Sequence, residues 1–284
     1  MFSAYYRLTK PGIVYGNVFT VIAGFLFASV PSFAPVTLLA VIAGMALVIA
    51  GSCVFNNILD RRIDAKMERT KMRALVTGAI SIRSALLFGG SLVIIGTAVL
   101  VFGTNALTAG IALFGVIFYV LVYGYAKRAS QLGTIVGSVS GAIPILSGYT
   151  AFSDRIDVSG LILFLVLVLW QMPHFYAIAI YRLRDYTEAG IPVLPAMIGV
   201  RATKLAIIAY IIVFIGAEVS LFLIGAVGYI YLIVVSAYGI AWLTRALRGM
   251  SASDDETWGK DVFLFSIRVL IAFCLAVSFG TILP

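Results

Sequence analysis

Asn56, Asp60 and Asp64 recur at intervals of four in the string Asn56-Asn57-Ile58-Leu59-Asp60-Arg61-Arg62-Ile63-Asp64. On a continuous helix each such step turns by only ~40°, so the three side chains form one stripe ~12 Å long. A row of oxygen donors suits Mg²⁺, which keeps several waters and is usually shared between one or two carboxylates and a phosphate. The stripe begins inside an apolar run, where Asn and Asp are costly unless they serve a site or a pathway. That weighs against a purely solvated acidic face balanced by Arg61, Arg62 and Lys66. Glu68-Arg69-Thr70-Lys71-Met72-Arg73 follows directly, and cations beside carboxylates can neutralise the charge that a metal-bound diphosphate retains. Arg69 and Arg73 share a helix face at i, i+4. Contact with lipid headgroups is the other use for these cations.

A second charged segment follows Trp170-Gln171-Met172-Pro173-His174-Phe175 and runs from Tyr181 to Pro192 as YRLRDYTEAGIP. Asp185 and Glu188, at i, i+3, could supply a second set of metal ligands, with Arg182 and Arg184 holding phosphate oxygens. Two carboxylate groups on separate helices would then form a clamp. His174 is the only histidine, and a lone histidine on an apolar helix is ordinarily a hydrogen-bonded interior residue. Pro173 removes an N–H and predicts a kink. Gly133, Gly137 and Gly141 read as a small-residue face for helix packing. Lys127 and Arg128 just ahead are within reach of a diphosphate, and Tyr123 and Tyr125 suit the membrane interface. Glu218 lies inside an apolar span with no basic partner nearby in sequence, and its role is unassigned.

The elements that must position these residues are membrane spans. Across 284 residues the chain is 62% hydrophobic and 11% charged, against roughly 45 to 50% apolar in soluble domains. Runs long enough to cross ~30 Å of hydrocarbon occur at about 11–30, 36–58, 85–102, 107–125, 134–152, 158–181, 204–224, 229–247 and 262–281. The expectation is an all-α, polytopic bundle of nine transmembrane helices, organised as a single domain over 1–284. The first run is too long for a signal-peptide core and reads as a retained helix. Cys53 and Cys274 lie in apolar runs without a CxxC partner, which implies neither a disulfide framework nor zinc. Of 20 Lys and Arg residues, all but Arg155 fall in the N-terminal tail or the even-numbered connections. By the positive-inside rule these face the cytoplasm, and nine spans send Pro284 to the opposite side. The net charge of +8 is therefore read as a topology signal beside lipid rather than as a nucleic-acid footprint.

NNILDRRID, ERTKMRAL, YAKRASQLGTIVGSVSGAIP and above all WQMPHFYAIAIYRLRDYTEAGIPVLP resemble the UbiA-type intramembrane prenyltransferases, and within them the branch that farnesylates haem b. The resemblance runs from Leu8-Thr9-Lys10-Pro11-Gly12 to Trp258-Gly259-Lys260. It implies a cytoplasmic-side site in the cell (inner) membrane, Mg²⁺, farnesyl diphosphate and haem b as substrates, and a hydroxyethylfarnesyl product, haem O. It further implies Asn56, Asp60 and Asp64 on one metal, and Asp185 with Glu188 on a second. Arg69, Lys71, Arg73, Lys127, Arg128 and Arg182 become diphosphate contacts, and His174 an axial haem ligand. Contact with haem-handling or terminal oxidase assembly proteins would follow.

Two positions depart from the family's usual pattern. Arg62 stands where similar sequences carry an acid, and Ala74 where many carry Pro. Arg62 lies ~200° round the helix from Asp60, so the stripe should survive it. Quinone-forming relatives carry a second DxxxD, whereas Ala189 follows Asp185 here. A transporter predicts inverted repeats that are not visible, and a CDP-alcohol phosphotransferase needs a DGxxAR string that is absent.

Overall fold

The computed structural model describes residues 2–30, 32–68 and 70–281. Its regular elements are helical, with no strand among the described residues. A short helix α1 (Phe2–Leu8) precedes α2 (Pro11–Ala28), α3 (Pro35–Asp64) and α4 (Ile82–Gly103). Then α5 (Ala106–Ile117) passes through one stretch of π-helix, Phe118–Tyr123, into α6 (Gly124–Ala129). The chain continues with α7 (Gly133–Ser153), α8 (Val158–Tyr181), two short helices α9 (Leu183–Glu188) and α10 (Leu194–Ile198), then α11 (Val200–Leu223), α12 (Tyr229–Arg248) and α13 (Asp255–Phe279). Among the described residues nine helices are long and apolar enough to cross a membrane, the fourth formed by α5, the π-helix and α6 together. The predicted position of Pro284 lies outside the described residues.

Each span is apolar over most of its circumference, so helix boundaries are set by caps and breakers. Pro11 and Pro35 open α2 and α3, where a missing N–H costs nothing. Ser81, Asn105 and Asp157 accept from the backbone N–H of Ser84, Thr108 and Gly160 at the heads of α4, α5 and α8. Asp254 does the same for Glu256 and Thr257, which starts α13 seven residues before its apolar run at 262. The helix α3 is 30 residues long, ~45 Å by its rise. It outlasts the hydrocarbon and delivers Asp60 and Asp64 on unbroken helix beyond the apolar stretch.

In lipid the helices hold together by close packing and interhelical hydrogen bonds rather than by expelling water. Gly24 of α2 and Gly148 of α7 make this packing reciprocal: a Cβ on either would collide with a backbone carbonyl of the other helix, Ile145 or Val21. Three apolar clusters are buried in the bundle. A small one joins Leu8, Val54, Leu75, Ile80 and Ala85. Of the two larger, one is built mainly from α8, α11, α12 and α13, and the other mainly from α2, α3, α5 and α7. Between them α2 packs on both α7 and α13, and α8 packs on both α7 and α13. α8 runs as one helix from Val158 to Tyr181 with Pro173 inside it.

Candidate active site

The stripe foreseen on α3 exists, and it is enclosed. Asn56, Asp60 and Asp64 are 2%, 5% and 5% exposed, so their oxygens must find partners inside the protein. Among the described residues the partners are four cations drawn from three segments outside α3. Lys10 Nζ donates to Asn56 Oδ1 at 2.6 Å. Asp60 accepts from Lys127 through Oδ2 and from Arg128 through Oδ1 at 3.1 Å. Asp64 Oδ2 accepts from Arg73 Nη1 at 2.6 Å. Four cations against two carboxylates leave an excess of positive charge in a partly dehydrated space, which favours a bound anion. Asn56 Nδ2 is buried without a hydrogen-bond partner.

Three local structures hold the cations in place. Lys10 has φ 53°, in the left-handed region, an uncommon state for a residue with a Cβ; the turn lets its ammonium reach α3. Burial first, and then the charges of Arg73 and Lys127, pull that ammonium down to about 8. Arg73 also donates to Asn57 Oδ1 at 3.1 Å, while Asn57 Nδ2 donates to the Leu8 carbonyl at 2.8 Å. Asn57 thus ties the loop after α3 to the end of α1. Thr70 Oγ1 donates to the Asp64 carbonyl at 2.9 Å, closing the helix end.

Lys127 and Arg128 follow the π-helix, a form often found at functional sites. Tyr119 and Tyr123 stack there, with ring centres 5.5 Å apart and planes at 16°, and Lys127 Nζ lies 5.6 Å from the Tyr123 ring centre. The glycine face of α7 permits this approach. A Cβ on Gly133 would stand 2.6 Å from Lys127 Cα, and one on Gly137 would stand 2.8 Å from the Tyr123 ring. Gly141 faces the Gln171 amide in the same manner. The packing role expected of these glycines is found, and it also seats the two basic residues.

The second charged loop follows the C-terminal end of α8 and carries the short helix α9. Its carboxylates are otherwise engaged. Asp185 lies 4.0 Å from Arg182, and Glu188 pairs at 2.9 Å with Arg184, whose side chain is 91% exposed. No group of three or more His, Cys, Asp or Glu side chains converges among the described residues, so Asp185 and Glu188 do not join Asp60 and Asp64 as one cluster. Arg182 lies over the Tyr181 ring, 4.3 Å from its centre. Deeper in α8, His174 stacks on Trp170 with ring centres 4.5 Å apart, and its Nδ1 lies 2.6 Å from Ser266 Oγ of α13.

Residues 17–267 match the model of the UbiA prenyltransferase family. The protoheme IX farnesyltransferase of Chromohalobacter salexigens is 49% identical over 98% of this chain and 95% of its own length. The chain belongs to the UbiA prenyltransferase family. The fold agrees. A solved digeranylgeranylglyceryl phosphate synthase matches 99% of this chain and 98% of its own with a TM-score of 0.82 at 20% identity. A UbiA homologue from Archaeoglobus fulgidus, bound to GPP and Mg²⁺, matches 97% of this chain and 99% of its own with a TM-score of 0.70 at 15% identity. The protein is an integral membrane prenyltransferase.

Arg69 lies outside the described residues. Lys71 pairs with Glu68 at 2.7 Å on an exposed face. Arg62 is exposed while Asp60 and Asp64 are buried, so its charge points off the stripe, as its helical position requires. Ala74 packs with Leu8, Val54 and Leu75, a small apolar role that needs no proline. Cys53 and Cys274 are free and buried. Glu218 is buried in α11 near Gly239 of α12, with Oε2 lacking a hydrogen-bond partner. Sequence reasoning missed Lys10, counted only as a topology charge, and Asn57. The available signals were a lysine directly before the proline that opens a span, and a doubled Asn at the start of the stripe.

Proposed function

We propose that this protein transfers the farnesyl group of farnesyl diphosphate to a vinyl group of haem b, making haem O in the manner of a protoheme IX farnesyltransferase. The supporting observation is the enclosed row Asn56, Asp60 and Asp64, with each side chain answered by at least one cation from outside α3. A donor set made of oxygen alone, surrounded by surplus positive charge, fits a magnesium diphosphate. Asn56, Asp60 and Asp64 would hold Mg²⁺. Asp185 would join from the second loop for a second ion, and Glu188, turned towards Arg184, would be the outermost of the set. Bound Mg²⁺ supplies charge withdrawal from the diphosphate oxygens.

Lys10, Arg73, Lys127 and Arg128 turn from the carboxylates to the diphosphate and stabilise it as it leaves with the C–O electron pair. Arg69, Lys71 and Arg182 complete the basic surround on the strength of their sequence positions. The terminal vinyl carbon of haem b takes the allylic cation, forming a C–C bond. Water then adds to the cation left beside the porphyrin ring and loses a proton, which gives the hydroxyethylfarnesyl group. Apolar walls keep water from the farnesyl cation before that bond forms. His174 serves the haem iron.

The chain acts as one domain over 1–284 in the cell (inner) membrane. The basic connections and the site face the cytoplasm, the C-terminus lies opposite, and haem-handling or terminal oxidase assembly proteins are the partners in delivery and use. Mass spectrometry of purified protein given haem b, farnesyl diphosphate and Mg²⁺ tests the reading. Haem O is expected, and its formation should stop with a chelator. A wild-type protein that yields none contradicts it.

A further inference from the structure

We propose that Ser266 is a positioning residue that fixes the proton of His174 on Nδ1 and leaves the Nε2 lone pair for the haem iron. This rests on the haem reading above and adds a residue to it. Ser266 has one hydroxyl proton, and its Oγ lies 2.6 Å from the Phe263 carbonyl, a group that can only accept. The proton is therefore committed there, and Oγ can meet Nδ1 of His174, 2.6 Å away, only as an acceptor. Nδ1 must carry a hydrogen. In the neutral ring that makes Nε2 the basic nitrogen, and Nε2 has no hydrogen bond among the described residues.

The surroundings hold this orientation from several sides. Ser266 is fully buried, and its carbonyl accepts the Trp170 indole N–H at 2.9 Å. Trp170 and His174, one turn apart on α8, thus grip a single residue of α13, while the Trp170 ring stacks on the imidazole. Phe263 packs on the imidazole with ring centres 5.1 Å apart. A histidine needed only to join two helices could use either nitrogen. Here one nitrogen is spent on a second residue and the ring plane is locked, the usual outer support of a metal-binding imidazole.

The test titrates ferric haem b into purified wild type, Ser266→Ala, Ser266→Thr and His174→Ala, and reads optical and electron paramagnetic resonance spectra beside haem O formation. The expected result is an imidazole-ligated spectrum in wild type, lost in His174→Ala. In Ser266→Ala it should be shifted or heterogeneous, with haem affinity weaker by about 10- to 100-fold, and Ser266→Thr should restore it. A folded Ser266→Ala with the wild-type spectrum and affinity overturns the proposal, as does a folded Ser266→Thr that fails to restore them. Should the extra methyl of threonine prevent folding, Ser266→Ala decides alone. Haem O made by wild type with a spectrum indifferent to His174 overturns the role of Ser266 but leaves the reaction standing. Absence of haem O from wild type strikes the reaction itself.

Discussion

The ends of α3 and α9 both carry carboxylates beside arginines, and the structure treats them differently. Asp60 and Asp64 are buried, and their partners Lys127, Arg128 and Arg73 come from 9 to 68 residues away. Asp185 and Glu188 meet Arg182 and Arg184, three and four residues off, on half-exposed or exposed surface. A neighbouring pair on one short helix in water gains a few tenths of a kcal/mol. Removing one partner of an enclosed pair strands a charge at a cost of about 3 to 5 kcal/mol. Only the α3 end therefore holds charges that a ligand could rearrange with a large energetic consequence.

Substitutions ranked by this difference should break or sharpen it. Asp64→Ala should lower kcat for prenyl transfer most, by about 100- to 1000-fold, and restored activity at high Mg²⁺ would argue for metal binding. Arg73→Met and Lys127→Met each remove one cation from the row, and steady-state assays should show losses near 100-fold. A loss confined to thermal stability would reassign both to packing. Asp185→Asn should cost several-fold in kcat/KM, well below Asp64→Ala; an equal loss would erase the distinction between the two ends.

Lys10 adds a pH dependence. Its ammonium is lowered to about 8 by burial and neighbouring cations, so it loses its charge as pH rises through that value. The KM for farnesyl diphosphate should then climb between about pH 7 and pH 9. Lys10→Arg should flatten that climb, because a guanidinium does not titrate there. A profile unchanged by this substitution would exclude Lys10 from diphosphate binding.

The spans were legible in the sequence because hydropathy reports what lipid contacts. Their ends were less so. The sequence places the second span at 36–58 and the ninth at 262–281, whereas the helices run Pro35–Asp64 and Asp255–Phe279. Those extensions are polar turns held by buried ion pairs and an Asp254 cap, which hydropathy cannot register. The π-helix Phe118–Tyr123 left no mark, since its residues are as apolar as those of any other span. The stripe itself was readable from spacing alone. Its partner Lys10, 46 residues away, depended on a left-handed turn, and the link from His174 to Ser266, 92 residues away, on the packing of α8 against α13.

The most direct measurement compares haem O yield from Asp60→Asn and Glu188→Gln, two isosteric changes assayed alike with haem b, farnesyl diphosphate and Mg²⁺. Removing the charge of Asp60 should reduce yield by at least about 100-fold, while Glu188→Gln should stay within about twofold of wild type. Equal yields from the two variants would contradict the assignment of the chemistry to the α3 end.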